Sequence, residues 1–216
     1  GEIIWARHPD GTPWSYALLT GSSSICHSLR CAIALGEELG HERPDWELSL
    51  ASLAHVVRTQ PPGAFAPKNR WAMDWYYPVL AGLITGNTAL RHLADGREPF
   101  AMTGLGVRCV SDRPWVTTAE TCECAMAYLT AGDHASAVDL YTWAQAMRVD
   151  EGRYLTGVVH PSGVSFPDRE RTTYSAAAVI LAADALSGAS PAAGLFTHRT
   201  GLPEIIETGA PVRDLD

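Results

Sequence analysis

Three carboxylates in this chain sit where acid/base chemistry could use them. Glu120 follows the Asp112-Arg-Pro-Trp115 loop and lies one turn into the apolar stretch from Thr117 to Leu129. A carboxyl group there, beside Trp115 and away from water, suits a general acid, because desolvation favours the protonated form. The spacing Thr117-x-x-Glu120 is also a capping box, in which the glutamate only satisfies a backbone N–H, and the two readings are compatible. Glu123 comes one turn later on the same helical face, placed to orient Arg108 or a substrate hydroxyl, or to pair with an arginine as a buried charge. Asp74 lies in Trp71-Ala-Met-Asp-Trp-Tyr-Tyr77, the densest aromatic stretch of the chain. Sugar rings stack on Trp and Tyr while carboxylates take their hydroxyls, so Asp74 with Trp75, Tyr76 and Tyr77 suits carbohydrate better than a charged ligand. An N-cap aspartate beside core aromatics is the competing reading. A third polar cluster, Arg169-Glu170-Arg171 with Tyr174, offers Glu170 as a reserve carboxylate, or else is a solvated loop.

Metal and phosphate chemistry find less support. His27 beside Cys26, together with Cys122-x-Cys124, supplies enough ligand atoms for zinc on paper. Residues i and i+2 on a helix face different ways, however, so Cys122 and Cys124 do not readily share one ion, and no metal or other cofactor is assigned. His27 and Arg108 are read instead as groups holding hydroxyls or carboxylates. There is no phosphate-cradling glycine loop, no nucleophile-elbow serine and no HExxH string. A formal net charge of −8 with lysine nearly absent disfavours nucleic acid and anionic membrane surfaces, which need clustered cations.

The elements that must position these residues read as helices. Ser22 to Leu39 is apolar nearly all round, with serines suited to the N-cap and Gly40 placed to stop it. A second, amphipathic helix carries Trp46, Leu50, Leu53, Ala54 and Val57 on one stripe. Pro78 fits the first turn of a helix running to about Thr85, and Asn87 caps a short partner ending near Gly96. Thr117 to Leu129 is a third buried helix. Asp133 caps an amphipathic one with Leu140, Trp143, Ala144 and Met147, and Thr172 to Leu186 closes the series before Gly188.

Buried helices alternating with amphipathic ones at ~45–55 residues suggest helical hairpins side by side, an all-α chain forming part of an α/α toroid. Four aromatic joints feed the buried helices, at Ser22–His27, Trp71–Tyr77, Pro114–Glu123 and Asp168–Tyr174, and function is expected where those loops gather. The 216 residues, 46% hydrophobic and 19% charged, are enough for one domain over 1–216, with an irregular tail over 188–216. Five cysteines in apolar runs fit a reducing, cytoplasmic setting. The opening Gly-Glu-Ile-Ile-Trp is not a signal peptide and lacks an initiator Met, so upstream hairpins of the natural protein are expected to be missing.

Taken together, Trp71-Ala-Met-Asp-Trp-Tyr-Tyr-Pro-Val-Leu80, Gly106-Val-Arg-Cys109, Pro114-Trp115, Ala119-Glu-Thr-Cys-Glu123 and Ala177–Asp184 resemble the methylmannose polysaccharide hydrolase family, bacterial α/α-toroid proteins often labelled prenyltransferase-like. The resemblance implies an intracellular, cofactor-free glycoside hydrolase cutting internal α-1,4 linkages of a partly O-methylated mannan. It also implies a catalytic carboxylate in Ala119–Glu123, carried over to Glu120, and a further catalytic aspartate upstream. An inverting course would set Glu120 opposite Asp74 or that upstream aspartate, ~6.5–9.5 Å apart to admit water. Trp75, Tyr76, Trp115 and Tyr174 would form sugar subsites. An isoprenoid toroid enzyme and a non-catalytic glycan-binding module are the alternatives, and homodimerisation stays open.

Overall fold

The computed structural model describes residues 2–60, 62–198 and 201–206. These fall into two compact units: one runs to Pro67 and takes in 201–206, and the other begins at Lys68 and runs to 198. Seven α-helices and a five-stranded sheet are formed among the described residues. None of these helices is long and apolar enough to cross a membrane.

The first unit opens with an irregular antiparallel ribbon, bridged at Ile4 with Ala17 and at Arg7 with Pro13. Helices α1 (Leu19–Glu38) and α2 (Pro44–Thr59) pack together behind it. The serines expected to cap α1 lie inside it. Ser22 and Ser23 are buried, and the Ser23 hydroxyl donates back to the Leu19 carbonyl at 2.8 Å, so the helix starts three residues earlier than the capping signal suggested. Pro44 occupies the first turn of α2, where its missing N–H costs nothing.

The second unit holds helices α3 (Ala72–Leu80), α4 (Gly86–Asp95), α5 (Thr118–Ala131), α6 (His134–Ala144) and α7 (Thr173–Ser187). Strands β1 (Ala101–Met102), β2 (Gly106–Arg108), β3 (Trp115–Thr117), β4 (Gly157–Val159) and β5 (Val164–Phe166) form an antiparallel meander in chain order. Helix α5 is its hub, packed by α3, α4, α6, α7 and β2. Most of its residues are accordingly buried whichever way they face, from Thr118 and Ala119 to Tyr128.

The sheet overturns the all-α toroid and the (α/α)6 barrel segment: the fold is mixed α and β. The strands occupy the stretches that read as long aromatic loops between helices. At two or three residues each, they are too short for a period of two to register against strong helical patterns on either side. Pro78 is a second correction. It lies inside α3, which begins at Ala72, and α4 starts only at Gly86 after a turn in which Leu83 N–H donates to the Pro78 carbonyl at 2.9 Å. Asn87, expected to cap α4, lies inside it, the N-cap position being Thr85; the later caps behave as their chemistry dictates. Asp133 accepts from Ser136 N–H at 3.0 Å, Thr172 accepts from Ser175 N–H at 3.1 Å, and Gly132 and Gly188 end their helices in the left-handed region. In the expected tail, 191–198 is a run of turns and 201–206 has no regular structure, while 199, 200 and 207–216 lie outside the described residues.

Candidate active site

The sheet borders three helix N-termini, that of α3 at the Trp115 end of β3 and those of α5 and α7 at its Thr117 end. Ala72 N–H, opening α3, donates to the Cys109 carbonyl at 3.1 Å just after β2, and Arg70 meets Asp112 at 2.9 Å beside it. Strand β3 runs straight into α5. Thr156 completes the junction: its carbonyl accepts from Thr118 N–H, and its N–H donates to the Glu170 carbonyl ahead of α7, both at 3.0 Å. Gly106 permits the closeness of β2 and α5. It has φ +131°, and a Cβ there would stand 2.6 Å from Thr121 Oγ1, the atom that accepts from Val107 N–H at 2.9 Å.

Asp74 and Glu120 therefore both lie in first helical turns, where the positive end of the backbone dipole favours a carboxylate. Glu120 is half-buried. The capping box is not made in full, because Thr117 contributes no side-chain cap and its hydroxyl is buried without a partner. The deeply desolvated carboxyl is instead Glu123, 7% exposed. Three phenols from two other helices surround it. Tyr76 O–H donates to Glu123 Oε2 at 2.6 Å, Tyr77 O–H donates to Oε1 at 3.3 Å, and Tyr174 O–H donates to Oε1 as well. The arginine partner weighed for Glu123 is replaced by these donors.

Burial pushes the Glu123 carboxyl up to about 7; the nearby Glu120 charge adds to the rise, and the phenol hydrogen bonds oppose it. Burial, then the facing Glu123 carboxylate, drives all three tyrosines above the ordinary phenol range, so they remain donors at neutral pH. Cys109, burial foremost and the Glu120 charge next, is pushed up to about 11. That influence, together with those on Tyr76, Tyr77 and Glu123, places Glu120 electrically among these groups.

The remaining candidates take varied positions. Tyr76 is fully buried, and Trp75 belongs to the core, stacked on Phe100 with ring centroids 5.7 Å apart. Trp115 is half-buried on β3 and stacks on Phe166 at 4.5 Å, a partner that sequence reasoning did not name. Two Val-containing runs flanking Pro161-Ser-Gly163 were the hairpin signal that could have placed Phe166 there. Arg108 on β2 donates to the carbonyls of Pro99 and Glu98. Glu170 is exposed and accepts from Thr156 Oγ1 at 3.2 Å. His27 is on α1 in the first unit, buried, with its Nε2 3.8 Å from Cys31 Sγ. Cys122 and Cys124 are buried and pushed upward by desolvation, Cys122 to about 12. Among the described residues no three His, Cys, Asp or Glu side chains gather as metal ligands would.

No protein-family model matches the chain. Among curated proteins it is 46% identical over 196 residues to a protein of Mycolicibacterium hassiacum named MMP endo-(1,4)-3-O-methyl-alpha-D-mannosidase. The match takes in 91% of this chain and 54% of the relative, so the chain spans about half the length of the curated protein it matches. The resemblance carried by the Trp71–Leu80 and Ala119–Glu123 strings thus extends, as similarity to this mannosidase, over nine-tenths of the chain.

Proposed function

We propose that this chain acts as an endo-acting glycoside hydrolase on internal α-1,4 linkages of a methylated mannose polysaccharide, using carboxylates for acid/base chemistry. The observation that carries the reading is the half-buried Glu120 in the first turn of α5, beside tyrosines that hold the buried Glu123 one turn further on. The name of the 46% identical relative supports the substrate class. Glu120, half-buried in a first helical turn, is the carboxylate a glycosidic oxygen or a water can reach. Asp74, in the first turn of the neighbouring α3, is the candidate for the opposite carboxylate of an inverting pair. Tyr174, Tyr77 and Trp115 are the rings open enough to meet a sugar face. Trp75 and Tyr76 support those rings from the core.

Replacing Glu120 by Gln keeps the size and hydrogen-bonding capacity of the side chain and removes its proton chemistry. Cleavage of O-methylated mannan oligosaccharides, followed by mass spectrometry of products, should fall by roughly 10²–10⁴-fold with helical circular dichroism unchanged. Near-normal turnover by that variant would remove Glu120 from the mechanism. Tight oligosaccharide binding by the unaltered protein without products over long incubation would make the chain a glycan-binding module instead.

A further inference from the structure

We propose that Glu123 is a positioning residue: it pins the Tyr174 ring as a fixed wall of the sugar site by coupling its hydroxyl to the core-locked Tyr76. The proposal rests on the glycosidase reading for its purpose, though not for its geometry. Tyr174 is 51% exposed at the start of α7, yet its hydroxyl points inward to a carboxylate that is itself 7% exposed. An exposed tyrosine usually keeps its rotamer freedom, whereas one whose hydroxyl is anchored to a buried carboxylate surrenders it before any ligand arrives. The anchor is fixed in turn. Glu123 Oε2 is held by Tyr76, which is fully buried between Trp75 and Tyr77, its ring edge-on to Trp75 at 6.2 Å and tilted against Tyr77 at 5.4 Å. Oε1 is shared by Tyr77 and Tyr174, so α3, α5 and α7 meet at one carboxylate. Both oxygens are engaged by phenols, which leaves Glu123 little capacity for substrate and fits it for support.

The titratable groups coupled to this carboxylate are Tyr76 and Tyr77 from α3, Glu120, Cys122 and Cys124 from α5, and Tyr174 from α7. Protonation of Glu123 turns one of its oxygens from acceptor to donor, and three phenols then compete for fewer lone pairs. The hold on Tyr174 should loosen as the carboxyl takes up its proton.

The test pairs Tyr174→Phe, which keeps the ring and removes the pin, with Glu123→Gln and the double variant. With oligomannosides as substrate, each single variant should raise KM about five- to tenfold, the worth of one hydrogen bond, while kcat stays within about twofold. The double variant should be no worse than either single, because both cut the same link. In the unaltered protein KM should rise as pH falls through neutrality, and in Tyr174→Phe it should not. Independently of any activity, ring-flip rates of isotopically labelled Tyr174 measured by NMR without substrate should be slow in the unaltered protein and fast in Glu123→Gln. An unchanged flip rate in that variant, additive KM effects, or a loss confined to kcat would each overturn the proposal. If the unaltered protein cleaves no mannoside, the glycosidase reading fails, and the NMR comparison still decides the pin. Tyr174→Phe, at a half-exposed position, supplies the kinetic arm if Glu123→Gln does not fold.

Discussion

A glutamate in an unfolded chain titrates near 4.5, and in this fold burial raises Glu123 to about 7. Between those values the folded protein holds a proton that the unfolded chain has released, so this residue's contribution to stability is complete below the lower value and is lost as pH rises through the upper one. The effect is bounded at on the order of 3 kcal/mol by the size of the shift. Glu123→Gln has no proton to lose. Urea melts of both proteins should therefore converge, or favour the glutamine variant, as pH is raised from 5 to 8. A stability difference independent of pH across that window would mean that the carboxyl does not titrate there. That Glu120 and Glu123 lie on one face of a buried helix was legible from their one-turn spacing and apolar setting. Their different surroundings were not: nothing in Ala119-Glu-Thr-Cys-Glu123 tells which carboxyl meets three phenols, two of them nearly fifty residues earlier and one as far later.

Among the elements, the start of α5 holds the clearest opportunity to gain stability. The Thr117 hydroxyl is buried without a partner, so Thr117→Val should remove a desolvation penalty while suiting the strand, and stability should rise by about 1 kcal/mol in chemical denaturation. A loss of stability would show that the hydroxyl is engaged. Helices whose ends carry strong chemistry were readable in advance: Asp133 and Thr172 cap as their side chains allow, and Gly132 and Gly188 stop helices as only glycine does cheaply. The strands were not readable. Their identity comes from backbone pairing that a three-residue pattern does not announce, both with near neighbours and, where Val116 pairs with Val158, with a segment far along the chain. The serine cap signal at the start of α1 failed because a serine is also accommodated inside a helix, Ser23 by returning its hydroxyl to the preceding turn.

For the second unit as a whole, the packing of α5 by four helices and a strand makes it the last element expected to open. Amide exchange should be slowest in the middle of α5, around residues 122–128, and faster in α7, whose Ile180 and Leu181 face outward. Slower exchange in α7 than in α5 would reverse that order of stability. Buried helices whose starts gather were a sound expectation for part of this unit, since α5 and the lead-in to α7 share the Thr156 junction. The closed toroid was not, because the joints fold into a sheet instead of remaining loops.

Thr156 accepts from the first residue of α5 and donates to the residue two positions before the N-cap of α7, in both cases through backbone atoms. The interval between the carboxylate helix and the tyrosine wall is therefore gauged by main chain, which no side-chain substitution rewrites. Substitutions among the rings and hydroxyls of this region can therefore alter its surface while the spacing of α5 and α7, set by main chain, stays as it is.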